Sequence, residues 1–273
     1  MTVQSFQTDF NSFKDELASF IFRLTTNRQD TEDIVQDTYI KTFENLHSFE
    51  GNSSLKTWVF SIGLNIAKNQ LKKQKRWLEN TQDYGANLHV QSPEHWERFH
   101  AEFNATPEQQ YEVKEHINYC FNCINKTLVI EQQICLLLKE VYAFKLAEIM
   151  AITELTEGKV KHAIADARRN MVRIFDNRCA LVNKQGACHQ CTELTGILNP
   201  KQNVQIEAAK IQMVKDGHSK NKERLMELRL DIVRGIDPLN APNSIVNTFM
   251  LESAESWVEE GKRRKVLKNP SEK

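Results

Sequence analysis

Between Gly51 and Arg76 the chain carries six cations, Lys56, Lys68, Lys72, Lys73, Lys75 and Arg76, and no acid. A run of one sign is the electrostatic footprint of a phosphate-bearing partner, although a solvated basic face is the plainer reading. Cys179, Cys188, His189 and Cys191 form a second group, with three thiols and an imidazole inside thirteen positions. That is enough for one tetrahedral structural zinc, with Cys188-x-x-Cys191 as the usual half-site. Against it, His189 sits between two other ligands, which strains simultaneous coordination, and reduced structural or redox-sensing thiols are the alternative. Cys120 and Cys123 make a further pair, but beside Phe121 and Ile124, where small buried side chains are the better reading. A composite site of Cys120, Cys123, Cys188 and Cys191 requires the later segment to fold back. No H-E-x-x-H, Gly-rich phosphate loop or nucleophile signature is present, so the expected function is binding, not turnover.

The elements that must position these groups are helical. Nine Gly and six Pro in 273 residues leave little room for many short strands and turns, and the length suits two compact domains with appended segments. Net charge is zero, yet residues 1–50 hold nine acids against four bases, so the two signs are segregated. The N-terminus lacks a basic segment followed by an apolar run. No stretch approaches the roughly 18 apolar residues of a membrane span, and the chain is read as cytoplasmic.

Phe10, Phe13, Leu17, Phe20, Ile21 and Leu24 recur at three- and four-residue steps and predict a first helix over 9–24. Asp30 is the expected N-cap of a second, which carries Ile34, Val35, Thr38, Tyr39, Phe43 and Leu46, with Phe43 on the buried stripe. A turn through Gly51 leads to a third helix from Ser53 or Ser54, with Leu55, Trp58, Val59, Ile62 and Ile66 inward. Periodicity fades over 77–108 apart from a short helix near Glu94–Phe103 and returns with Val113, Ile117 and Ile124. A short helix, Leu146–Thr153, joins through Glu154 and Leu155 to a longer one that carries Val160, Ile164, Ala167, Met171 and Phe175. So tight a connection fits a helix-turn-helix, an outline shared by helical hairpins with no DNA role. Beyond Pro200 lie two more amphipathic stretches, 204–233 and 243–260, whose stripes indicate packing.

The string Asp30-Thr31-Glu32-Asp33-Ile34-Val35-Gln36-Asp37-Thr38-Tyr39, followed by Ser54-Leu55-Lys56-Thr57-Trp58-Val59 and Asn65, resembles region 2 of the extracytoplasmic-function (ECF) sigma factors. Thr156-Glu157-Gly158-Lys159-Val160-Lys161-His162 and Ala167-Arg168-Arg169 resemble the recognition helix of their region 4. Two motifs in the right order are far more specific than either alone, and the resemblance covers residues 8 to 178.

The resemblance implies an all-α protein of two small helical domains. Region 2 is expected over 8–77, a linker over 78–108 and region 4 over 109–178. A Cys-rich segment over 179–199 and a helical extension over 200–273 follow. The implied partners are core RNA polymerase, promoter DNA and an anti-sigma factor, with no membrane and no small-molecule substrate. Asp33, Gln36, Asp37, Tyr39 and Phe43 are implied to dock on polymerase. Asn52, Ser53 and Ser54 would hold a flipped base of the minus-ten element, while Lys56, Ser61, Asn65, Lys68, Asn69, Lys72, Lys73 and Arg76 follow the melted strand. Thr156, Lys159, Lys161, His162, Asp166, Arg168 and Arg169 would engage the minus-thirty-five duplex, with Thr156 as N-cap. Ala163 stands where the family often has Arg, and Glu154 and Met150 where it often has Gly and Ala, which leaves the base-reading set open. A polymerase-independent helix-turn-helix regulator is the rival reading. It predicts a dimer on a palindrome and leaves the first three helices without a role.

Overall fold

The computed structural model describes residues 2–72, 76–81, 83–85, 92–105, 110–219 and 221–263. Helix is the regular structure throughout, and the described residues hold one isolated parallel bridge, between Cys179 and Cys188. The chain forms two compact units. One combines residues 1–75 with 129–168, the other 76–128 with 169–273.

In the first unit α1 spans Val3–Thr25, starting earlier than the apolar period alone predicts. Thr2 supplies the reason: its Oγ1 accepts from the Ser5 amide at 3.2 Å while Ser5 Oγ accepts from the Thr2 amide, closing a capping box. Phe6 extends the stripe of Phe10, Phe13, Leu17, Phe20 and Leu24, all buried. Helix α2 spans Arg28–Glu44, and its cap is Asn27, not the expected Asp30. Asn27 Oδ1 accepts from the Asp30 amide at 2.8 Å, which places Asp30 inside the positive first turn. Helix α3 spans Leu55–Leu71 and begins as predicted, with Ser54 Oγ accepting from the Thr57 amide at 3.1 Å.

These three helices meet at Gly63. A Cβ there would lie 3.1 Å from Thr38 Oγ1 and 3.3 Å from Leu17 Cδ1, so the close approach requires glycine or a shift of its neighbours. Rings fill the centre, with Phe20 and Phe60 centroids 5.5 Å apart. The same unit contains α6 (Ile130–Leu136), a π-turn over Leu137–Val141, α7 (Leu146–Thr153) and the first half of α8 (Glu157–Arg178). Helix α7 packs on α3. Phe144 pairs with Phe60 at 4.9 Å, Tyr142 shares a 2.8 Å hydrogen bond with Ser19, and Gln133 donates to the Arg23 carbonyl at 3.1 Å. The compact units therefore do not follow the chain order of the expected segments, because long-range burial groups 129–168 with 1–75.

The second unit contains α4 (Pro93–Asn104), capped by Ser92, and α5 (Val113–Asn125). The later half of α8 leads to α9 (Gln190–Leu198), α10 (Val204–Lys210), α11 (Gln212–Lys215), α12 (Lys222–Arg234) and α13 (Ser244–Arg263). Val113 and Ile117 of α5 form a core with Leu181, Ala208, Ile211, Met213, Leu225 and Leu228. Buried polar ties fix the extension to α5. Asn199 exchanges two hydrogen bonds with the Tyr111 backbone, at 2.8 and 3.1 Å. The Asn243 amide donates to Glu115 Oε2 at 2.8 Å. The segment expected as a linker holds α4 and is pinned by ion pairs, Asp83 with Arg178 at 2.5 Å and Glu79 with Arg173.

Candidate functional site

Helix α2 presents Asp33, Gln36 and Asp37 to solvent, with Gln29 Nε2 donating to Asp33 Oδ1 at 2.9 Å. Its buried side runs through Thr31, Ile34, Val35, Thr38 and Thr42. That stripe leaves Phe43 on the flank, 41% exposed, where the sequence reading placed it inside. Tyr39 is half-buried against Phe6 and Phe10 and stacks on Phe43. Ile40, 43% exposed, was missed. Its signal was available, since Gln36, Ile40 and Phe43 follow at steps of four and three and so share a face. The result is an apolar patch beside exposed carboxylates, suited to a partner with both aromatic pockets and cations.

At the start of α3, Gly51 takes φ +76° with open space around it. Asn52 donates to Glu50 Oε2 at 2.9 Å, and Ser53 donates to the Ser54 carbonyl at 3.3 Å. Ser54 Oγ is engaged as the helix cap and also lies 2.8 Å from Thr57 Oγ1. Trp58 is half-buried and tilted on Phe49 at 5.1 Å. Asn65, Asn69 and Lys72 are exposed and Lys68 is half-buried. Ser61 turns its hydroxyl to the Trp58 carbonyl at 2.7 Å.

Two of the named cations are occupied. Lys56 pairs with Glu16 at 2.6 Å and lies 4.9 Å from the Phe144 ring centroid. Arg76 caps the C-terminus of α5, with Nε donating to the Leu128 carbonyl at 2.7 Å and Nη2 to the Asn125 carbonyl at 3.5 Å. Lys73 lies outside the described residues.

Helices α7 and α8 join through Glu154, whose φ of +60° is left-handed, with its amide donating to the Met150 carbonyl at 2.9 Å. Thr156 precedes α8 and its carbonyl accepts from the Val160 amide at 3.0 Å. Thr156, Lys159, Lys161 and His162 are exposed, and a Cβ at Gly158 would meet nothing within 4 Å, so the N-terminal turn of α8 is open for a ligand to approach. Lys161 pairs with Glu157 one turn back at 2.5 Å; the hydrogen bond from Lys161 holds the Glu157 carboxyl below its ordinary range. Asp166 is half-buried, and Arg169 is exposed. Arg168 is engaged by Glu140 at 2.8 Å.

All six cysteines are free thiols. Cys179, Cys188 and Cys191 are half-buried side chains at the end of α8 and the start of α9, whereas His189 points to solvent. Burial pushes the Cys120, Cys188 and Cys191 thiols up from their ordinary pKa.

The family model of Sigma-70 region 2 matches residues 10–76, the span of α1 to α3. The ECF RNA polymerase sigma factor SigX of Bacillus subtilis is 35% identical over 72 residues, which is 26% of this chain and 37% of that protein. The ECF RNA polymerase sigma-E factor of Haemophilus influenzae is 25% identical over 172 residues, covering 60% of this chain and 84% of that one. A solved chain from the complex of sigma factor RpoE with anti-sigma factor NepR of Bartonella quintana aligns with TM-score 0.42 and 20% identity. The alignment covers 64% of this chain and 98% of that one.

Proposed function

We infer that this chain is a sigma factor of the ECF group and gives core RNA polymerase its promoter choice by binding rather than by catalysis. The single observation that carries the reading is the pairing of two unlike surfaces on adjacent helices of one unit. Helix α2 exposes Asp33, Asp37, Ile40 and Phe43, and α3 exposes Asn65 and Asn69, with Lys72 exposed at its C-cap. The first surface suits a basic protein partner and the second a phosphate strand.

On this reading polymerase docks on α2 while α3 follows the melted minus-ten strand, with Lys68 and Lys72 on phosphates and Asn65 and Asn69 beside them. Lys56 and Arg76 contribute less, since their charges are engaged by Glu16 and by the end of α5. The open N-terminal turn of α8 supplies backbone amides, Lys159, Lys161 and His162 to the minus-thirty-five duplex. The partners are core RNA polymerase, promoter DNA and an anti-sigma factor, and the setting is the cytoplasm. No helix of the described residues is long and apolar enough to cross a membrane.

Docking has a structural consequence. Elements about 25 base pairs apart lie roughly 85 Å apart on B-DNA, whereas a unit of this size is roughly 35 Å across. Helix α3 and the first half of α8, which carries Lys159, Lys161 and His162, share one unit, so engaging both elements at once requires α7 and that half of α8 to leave α3. Reconstitution with core polymerase, followed by transcript mapping across genomic fragments, tests the proposal. RNA starting at sites that share two spaced elements supports it, and no RNA at any site overturns it.

A further inference from the structure

After α8 the chain makes a tight knuckle. Cys188 donates its amide to the Arg178 carbonyl at 2.7 Å, and Ala180 donates to the Cys188 carbonyl at 3.1 Å. This pattern makes Cys179 and Cys188 direct partners of a parallel bridge, with both thiols on one face. Gly186 closes the knuckle: a Cβ there would come within 2.7 Å of the Ala180 nitrogen and the Arg178 oxygen, so only glycine fits.

Cys191 follows on the first turn of α9, and Cys188 and Cys191 line one cavity. Cys179 and Cys191 both pack on the core built on Val113 and Ile117 of α5, against which α9 rests. Cys120 lies one turn beyond Ile117. Burial raises the Cys120 and Cys191 thiols, and neighbouring thiols add to it: Cys188 and Cys179 at Cys120, and Cys179, Cys120 and Cys188 at Cys191.

Beside them is a buried cation. Arg229 of α12 is 4% exposed, and its guanidinium lies 3.6 Å from the Phe175 ring centroid. Among the described residues no carboxylate pairs with it, yet its charge reaches Cys120 and Cys191. A desolvated charge without a counter-ion is strongly unfavourable, and neutral thiols supply none.

We propose that Cys120, Cys179, Cys188 and Cys191 bind one zinc ion as a structural tetrathiolate, tying the chain after α8 to α5 within the second unit. Binding releases four protons, one from each thiol, and leaves a complex of net charge minus two. Arg229 then faces the anion it lacks. The ligand set differs from the sequence expectation: Cys120, remote in sequence, takes the place of His189, which is exposed. Among the described residues no three His, Cys, Asp or Glu side chains are grouped closely enough to hold a metal without rearrangement. Zinc–sulfur bonds of ~2.3 Å require sulfurs ~3.8 Å apart. Changing one thiol's rotamer moves its sulfur by ~3 Å, so side-chain rotation is one route to that spacing.

The test is elemental analysis of the full chain, expressed with zinc and purified without chelator. About one zinc per chain is expected, falling roughly tenfold in Cys120→Ser and in Cys188→Ser. Cys123→Ser and His189→Ala should keep it. Because serine variants can fail to fold, the wild-type chain is also loaded with cobalt. A thiolate-to-cobalt charge-transfer band with intense tetrahedral d–d absorption is expected, together with four thiols that react with a disulfide reagent only after chelation. Absence of bound zinc and cobalt, retention of metal by a Cys179→Ser/Cys188→Ser variant, or a Cys179–Cys188 disulfide in the purified chain would each overturn the proposal.

Discussion

His116 makes the second unit sensitive to acid by an amount that follows from its surroundings. It is 1% exposed on α5, its Nδ1 lies 2.5 Å from the Tyr111 hydroxyl, and burial lowers its pKa from 6.5 to about 3. Burial also raises the Tyr111 pKa, so the hydroxyl keeps its proton, and the same burial keeps the imidazole neutral. Because the folded pKa is depressed, nothing is lost above pH 6.5, where both states are neutral. Below it the unfolded chain binds a proton that the folded chain refuses, so stability falls by about 1.4 kcal/mol per pH unit until the folded pKa is reached. At pH 5 the loss is about 2 kcal/mol. Replacing His116 by Asn keeps an acceptor for Tyr111 and removes the titration. Urea unfolding of the full chain at pH 7 and pH 5, followed by circular dichroism, reads the difference. The gap between wild type and His116→Asn should shrink by about 2 kcal/mol on acidification. An unchanged gap would refute the argument that a buried neutral imidazole governs this response.

Other outcomes follow from single contacts. Glu154→Gly should stabilise the chain by about 0.5–1 kcal/mol in thermal or urea unfolding, because glycine adopts φ +60° without strain. Phe144→Ala removes the ring packed on Phe60 and should cost about 3–5 kcal/mol within the first unit. It should also enlarge the radius of gyration measured by small-angle scattering as α7 loosens from α3. Lys72→Gln should lower the salt slope of holoenzyme binding to a pre-melted promoter by ~0.7. Lys56→Gln should change it less, because Lys56 is held by Glu16.

The helices themselves were largely legible because α1, α3 and α8 bury residues at regular three- and four-residue steps, a local property of the chain. Local capping chemistry was only partly so. Asn27 and Asp30 are both good caps, and only the backbone geometry shows that Asn27 takes the role. Glu154 stood out as unusual at a position where the resembling family often has Gly, and its left-handed backbone supplies the reason. What could not be read were pairings between segments far apart in the chain. Arg76 looked like one more strand-following cation, but the carbonyls at the end of α5 claim it. Phe43 satisfied the apolar period, but the core turns at Thr42 and leaves it outside. The grouping of 129–168 with 1–75 rests on contacts such as Tyr142 with Ser19, for which no local pattern exists.

The most direct test of the central claim is the affinity of fluorescently labelled protein for core RNA polymerase, measured by anisotropy, for wild type and for Asp33→Lys/Asp37→Lys. Saturable binding by the wild type, weakened at least tenfold by reversing both charges, is the predicted result, since two exposed carboxylates facing a basic surface become two repulsions. Failure of the wild type to bind core, or undiminished binding by the double variant, would contradict the account.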